Sequence, residues 1–156
     1  MANQYAGLGA KLQYGGPTTA SPISFVTVAQ VRDIDGPSQK TKTHDVTSHD
    51  SATVAGGYAQ FITGLKDGGE VKFPLWFDAT DTTQNATTTG LKGIMDSAQN
   101  SYWQILLANY PAATSPPPAW TFQGPIIDLD FTQPVDGAQA IKSCTIKVSG
   151  KPVLIA

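Results

Sequence analysis

The stretch Glu70-Val71-Lys72-Phe73-Pro74-Leu75-Trp76-Phe77 decides the fold class. Val71, Phe73, Leu75 and Phe77 recur at every second position, so an extended chain puts them on one face and Glu70, Lys72, Pro74 and Trp76 on the other. A helix would scatter them around its axis. The period predicts a half-buried strand, and Pro74, which has no N–H to give a ladder, places it at an edge or a bulge. Just upstream, Lys66-Asp67-Gly68-Gly69 is a turn signal. It predicts a hairpin between residues 58–65 and 70–77.

The same period governs the chain downstream. Ile127, Leu129 and Phe131 alternate with Ile126, Asp128 and Asp130, which assigns the first set to the core; Cys144, Ile146 and Val148 alternate with Ser143, Thr145 and Lys147, and Asp136-Gly137 supplies a turn between the two strands. Residues 24–34 (Phe25, Val26, Val28, Val31) and 102–110 (Trp103, Ile105, Leu106, Leu107) are apolar on both faces, so they read as strands covered on both sides. Two layers and one helix give a small interior, which makes a neighbouring subunit a source of the second cover. One segment breaks the pattern. Leu91, Ile94, Met95 and Ala98 stand at i, i+3, i+4 and i+7 after Thr87, Thr88 and Thr89, predicting a short amphipathic helix capped by a threonine and laid on a sheet. The run from Pro111 to Pro118 reads as a surface connection.

With 156 residues and 40% hydrophobic composition, the chain has the size of one domain, able to bury roughly 70% of its unfolded surface. Residues 1–23 read as a flexible amino-terminal arm and 33–57 as a long polar loop. Charged residues make up 14%, against about 25% in ordinary soluble domains. Ten basic and twelve acidic residues leave a net charge of −2, with Arg32 the single arginine. That balance argues against a basic field gripping nucleic acid or an anionic membrane. The single cysteine, Cys144, rules out an internal disulfide. The first residues lack a signal-peptide pattern, and no apolar run approaches the ~20 residues of a membrane span, so the expectation is synthesis in a cytoplasm.

Chemistry has one foothold, His44-Asp45-Val46-Thr47-Ser48-His49-Asp50-Ser51, which holds both histidines, each followed by an aspartate. Imidazole and carboxylate suit a metal or an acid/base pair. The five-residue spacing opposes that use, since on a strand His44 and His49 point to opposite faces. Ser48, His49 and Asp50 are too close in sequence to form a triad, and no nucleophile elbow is present. Gly7-Leu8-Gly9 and Gly56-Gly57 read as turns, because neither follows a strand and opens a helix as a phosphate loop does. Cys144, on the apolar side of its strand, reads as a buried inert thiol. No cofactor and no metal is expected.

Three stretches taken together resemble the major tail tube proteins of long-tailed, non-contractile bacteriophages, the lambda-like tail tube family. They are Asp45-Val46-Thr47-Ser48-His49-Asp50-Ser51, the run from Tyr58 through Phe61-Ile62-Thr63-Gly64-Leu65-Lys66-Asp67-Gly68-Gly69 to Phe73, and Val148-Ser149-Gly150-Lys151-Pro152. The resemblance spans roughly residues 8 to 152. It implies a mainly β fold, a β-sandwich or partial barrel with one short flanking α-helix, whose sheets join between subunits in a sixfold ring; rings stack into a tube in the virion tail that conducts DNA. The expected partners are other copies of the chain and tape-measure, tail-tip and tail-terminator proteins, with DNA passing unbound and no membrane. It implies no enzyme. The alternatives are a secretion-system tube or other phage connector ring protein, and a monomeric immunoglobulin-like binding module. On this reading Asp128 and Asp130 are candidates for the channel lining, or else face outer solvent, and His44, Asp45, His49, Asp50, Tyr102, Trp103 and Leu106 are candidates for contacts between subunits or rings.

Overall fold

The computed structural model describes residues 9–50, 53, 55–86, 90–107, 118–136 and 141–155. The order of elements is β1 (Lys11–Pro17), β2 (Val26–Thr27), β3 (Lys40–Asp45), β4 (Phe61–Asp67), β5 (Glu70–Trp76), α1 (Thr82–Asn85), α2 (Leu91–Asp96), β6 (Ser101–Leu106), β7 (Ala119–Gly124), β8 (Ile126–Thr132), β9 (Ile141–Lys147) and β10 (Ser149–Ile155). They form a five-stranded sheet in the order β10-β7-β6-β1-β2, a three-stranded sheet β5-β9-β8, and a two-stranded sheet β3-β4. The chain is mainly β, as its alternation predicts, and α1 and α2 are short helices.

Two long antiparallel ladders, each bent at glycine, build this arrangement. In one, β7 and β8 run as a nearly continuous strand against β9 and β10: Trp120 pairs with Leu154 and Gln123 with Ser149 in the five-stranded sheet, then Ile126 pairs with Ile146 and Thr132 with Ile141 in the three-stranded sheet. The corner lies at Gly124-Pro125, where a Cβ on Gly124 would stand 2.0 Å from the carbonyl oxygen of Lys147. Only glycine fits so close an approach. In the other ladder, residues 31–45 run against 61–75, through Val31 with Leu75, Asp35 with Lys72, Lys40 with Asp67 and Asp45 with Phe61.

The second ladder corrects the expected hairpin of 58–65 with 70–77. β4 and β5 lie in different sheets, and Gly68-Gly69 is a kink between them, not a reversal. Gly69 has φ +76°, donates its N–H to the Asp67 carboxylate at 2.8 Å and accepts from the Val148 N–H at 2.9 Å. The polar segment 33–57, expected as a loop, therefore contains β3, and the amino-terminal region 1–23, expected as an arm, contains β1. Segment 24–34 keeps only the two-residue β2. The rest of it straps the outer edge of β5, where Trp76 and Arg32 donate backbone N–H groups to the carbonyls of Gln30 and Pro74 and Asp35 exchanges two bonds with Lys72. Pro74 is thus on an edge strand, and its missing N–H would have faced the strap.

One core fills the space between the two larger sheets: Leu12, Val28, Val71, Phe73, Leu75, Leu91, Ile94, Trp103, Ile105, Phe122, Ile126, Cys144, Ile146 and Val148 are all buried. Val71, Phe73 and Leu75, and Cys144, Ile146 and Val148, lie inside as their alternation requires. On β8 the assignment needs correction. A bulge at Ile127 places two residues opposite one, because Ile126 pairs with Ile146 and Asp128 already with Thr145. The extra residue shifts the phase of the alternation there, so Ile126 packs on the core and Ile127 is exposed; beyond the bulge Leu129 packs on the core as expected, while Phe131, on the same side two residues on, is 52% exposed beside Phe77.

Helix α2 carries Leu91 and Ile94 into the core with Met95 beside them. Its N-cap is Gly90, without a side-chain cap, and Thr87, Thr88 and Thr89 lie outside the described residues. Ala98 falls beyond the helix end and is exposed. Helix α1, which periodicity did not reveal, is capped by Asp81 accepting from the Thr83 N–H at 2.8 Å, and it delivers the fully buried Gln84. Gln84 donates to the Trp76 carbonyl at 2.9 Å and accepts from the Asp78 N–H at 3.1 Å, fastening the helix to the end of β5. Most of the proline run, Gly137 of the expected turn, residues 1–8 and residues 108–110 also lie outside the described residues.

Candidate assembly surfaces

The half-ladder β3–β4 projects beyond the kink as an arm packed on neither larger sheet. Its strands show only exposed and half-buried residues. The arm and its tip present Leu65, 83% exposed, Tyr58, 79% exposed, and Phe61, Ile62 and Val46, each more than two-fifths exposed. A lone two-stranded hairpin is marginal in water, and burying one such side chain is worth about 1.5–3 kcal/mol. An apolar arm of this kind gains its stability when another surface covers it.

At the root of the arm the charges are tied down. Lys147 Nζ reaches Asp67 Oδ1 at 3.0 Å, and the Gly69 N–H, ahead of that lysine, holds the Asp67 carboxyl below the usual carboxylate range. Asp45, at the far end of β3, is likewise lowered by the hydroxyl and N–H of Thr47. The His44 ring lies over Gly64, where an added Cβ would come within 2.7 Å of Nε2. His49 and Asp50 sit in the turn that follows. Among the described residues no group of three or more His, Cys, Asp or Glu is arranged to hold a metal ion, and the His44–Asp50 segment belongs to the arm and its tip.

Among the described residues, two sheet edges carry exposed apolar side chains on long strands. β10 ends the five-stranded sheet, and its Val153, Leu154 and Ile155 are each about half exposed; β8 ends the three-stranded sheet with Ile127 and Phe131 exposed, Phe131 meeting Phe77 edge-on at 4.8 Å. Unpaired edges with apolar side chains invite pairing with another chain. Asp128 and Asp130 are exposed on β8, in register with Thr145 and Ser143. Their side of the sheet also carries Glu70, Lys72 and Lys147, and Arg32 stacked 4.6 Å over the Trp76 ring. That face is densely charged, with both signs present.

The proposed contact residues in 102–110 divide. Trp103 is fully buried, its ring tilted against that of Tyr14 with centroids 5.2 Å apart, and is a core residue with no surface to offer a neighbour. Tyr102 and Leu106 stand on the opposite, half-exposed face of β6. Cys144 is buried, and burial pushes its thiol up to about 12, which leaves it protonated and inert. An apolar hollow of about 320 Å³ between α2 and β1–β2 is lined by Tyr14, Val26, Val28, Leu91 and Ile94 among others, with no charged group to support chemistry. The apolar edge of β10 and the placement of Tyr58, Phe61 and Leu65 on an arm escaped the sequence reading. Their alternation looks the same whether a strand is covered by its own chain or by another.

No family model and no curated protein matches this sequence. Solved structures do match its fold. A chain from the tail of an empty gene transfer agent particle, computed with helical refinement and C6 symmetry, superimposes with a TM-score of 0.71 at 17% identity, covering 98% of this chain and 100% of that one. A chain of an extracellular contractile injection system sheath/tube terminator in its extended state gives 0.69 at 12% identity over 99% of both chains. The SPP1 tail tube gives 0.62 at 12% identity over 93% of this chain and 75% of that chain. The chain has the tail tube fold, shared by tubes of phages and of injection systems and not confined to the lambda-like branch.

Proposed function

We propose that this chain is the structural subunit of a virion tail tube, assembling as hexameric rings that stack around a DNA-conducting channel, and that it is not an enzyme. The observation that carries this reading is an end-to-end fold match to a sixfold-symmetric tail, joined to an apolar arm that its own protomer leaves uncovered. The arm, with His44, Asp45, His49 and Asp50 on it or at its tip, supplies contacts between rings. The open strand edges supply contacts within a ring, with Tyr102 and Leu106 on the sheet between them. Further partners are tape-measure, tail-tip and tail-terminator proteins; DNA passes without specific contacts and no membrane is involved. The protein is made in the host bacterial cytoplasm and resides in the tail.

A second setting, the inner tube of a contractile injection system, is supported by the nearly equal match to an injection-system chain. The two share the tube and differ in what surrounds it. Purified protein is expected to sediment as monomers or small species when dilute and to form hollow tubes, visible by negative stain, when concentrated or seeded with a tail-tip complex. Monomers alone at high concentration with a seed present would defeat the reading, and a co-purifying sheath would select the injection-system setting.

A further inference from the structure

The arm β3–β4 carries opposite charges at its two ends. At the root, Lys40 and Lys66 stand on the first two rungs of the ladder, with Lys42 next on β3. At the other end Asp45 closes the ladder opposite Phe61, and Asp50 lies in the turn beyond. From Lys40 to Asp45 the extended strand covers about 17 Å. The tip is held in shape by its own bonds: the Val46 N–H donates to the Gln60 carbonyl at 2.9 Å, the Gln60 N–H to the Thr47 hydroxyl at 2.9 Å, and the Thr47 N–H to the Asp45 carboxylate at 2.8 Å. Beside the two carboxylates it exposes Tyr58, Phe61 and Val46.

The root of the arm and the start of β10 enclose a hollow of about 590 Å³. Three exposed lysines, Lys42, Lys66 and Lys151, line it together with the exposed Leu65 and the buried Val148 and Pro152. Its carboxylate, Asp67, is already engaged by Lys147 at 3.0 Å. Among the described residues no carboxylate lies within ion-pair distance of Lys42, Lys66 or Lys151. The hollow is thus cationic and partly apolar, and the tip is anionic and partly apolar.

We propose, on the basis of the tube reading above, that the arm tip of one copy seats in the root hollow of the next copy along the tube, its carboxylates against the lysines and Tyr58 against Leu65. The ladder itself keeps a tip away from its own root, because an extended strand cannot fold back on itself, so the occupant is another molecule. Tip and hollow are different patches, which makes the contact heterologous and lets it pass from copy to copy. Like charges oppose tip on tip and root on root, so the same groups fix the direction of stacking. The turn Asp78–Asp81 is also acidic, but Ala79 and Thr80 between its carboxylates bring no large apolar side chain to cover Leu65, and Asp81 is engaged as the cap of α1.

Cross-linking in assembled tubes tests this. The native Cys144 is buried, so Tyr58→Cys/Lys151→Cys puts reactive thiols at the tip and the hollow alone. A short bismaleimide should join them into a ladder of covalent multimers, while each single variant stays monomeric on a denaturing gel. Bands that stop at the dimer, or a ladder from Thr80→Cys/Lys151→Cys and none from the Tyr58 pair, would overturn the contact and leave the tube reading intact. Charge reversal gives a second readout if the Tyr58 change blocks assembly. Lys42→Glu/Lys66→Glu/Lys151→Glu and Asp45→Lys/Asp50→Lys should each raise the concentration needed for tube growth in low salt by about tenfold, and all five together should return it to within about threefold of wild type. A five-site variant that folds, as its urea midpoint shows, yet grows no better than either parent would also overturn the contact. A wild-type chain that never forms tubes would remove the tube reading and the contact together.

Discussion

The indole N–H of Trp103 donates to the backbone carbonyl of Gly124 at 2.9 Å. Trp103 is in the middle of the five-stranded sheet, and Gly124 is the corner at which β7 leaves that sheet for the other. A buried hydrogen bond thus ties the middle of the sheet to its corner. Replacing Trp103 by Phe keeps most of the packing but leaves that carbonyl without its donor, at an expected cost of about 1–3 kcal/mol. Gly124→Ala, which drives a Cβ into the Lys147 carbonyl, should be the more damaging change. Urea unfolding of the dilute subunit measures both, and an unchanged midpoint for Gly124→Ala would refute the corner.

Gln84 is a buried amide with three backbone partners, the Asp78 N–H and the carbonyls of Trp76 and Ala29. Gln84→Leu fills the same space yet strands the Trp76 carbonyl and the Asp78 N–H, so a loss of about 1–3 kcal/mol is expected. Asp81→Ala removes only the cap of the same helix and should cost about 1 kcal/mol. Thermal melts of the two variants should therefore rank Gln84→Leu below Asp81→Ala.

The Asp67 carboxyl is held low chiefly by the Gly69 N–H and then by Lys147. A depressed folded-state value means stability that is fully present above the unfolded value of about 3.9 and is lost as pH falls through the folded one. Asp67→Asn should flatten the acid limb of the stability curve and leave its shape near neutrality unchanged. An acid limb identical to wild type would show that the kink does not depend on the charge.

On the arm, Leu65 and Phe61 touch solvent in the isolated subunit. Leu65→Asp and Phe61→Asp should leave subunit stability within about 0.5 kcal/mol, the usual range for surface changes, and abolish tube growth in sedimentation and negative stain. Tubes of normal length from either variant would take the arm out of the assembly contacts.

The Cys144 thiol, pushed up to about 12 by burial, should be silent toward a thiol reagent at neutral pH in the folded chain and react at once in urea. Reaction of the native protein without unfolding would mean that β9 opens locally.

Which side of each strand faces inward was written largely in the sequence, because the pleat turns alternate residues to opposite faces whatever the strand pairs with. Val71, Phe73 and Leu75 show it on β5, Cys144, Ile146 and Val148 on β9, and the 3.6-residue stripe of Leu91 and Ile94 marks α2 in the same local way. Which strand lies beside which was settled only by the tertiary structure. Gly68-Gly69 can serve a reversal or a kink equally well, since glycine adopts positive φ in either; the choice fell to residues 31–45, which pair along both β4 and β5 and leave no room for a hairpin between them. The bulge at Ile127, between the pairs Ile126–Ile146 and Asp128–Thr145, puts Ile126 in the core and Ile127 outside, against the expected assignment. Local sterics fix a side chain's face, whereas partner choice and register depend on bonds between segments far apart in the chain, and no short stretch of sequence contains both halves of such a bond.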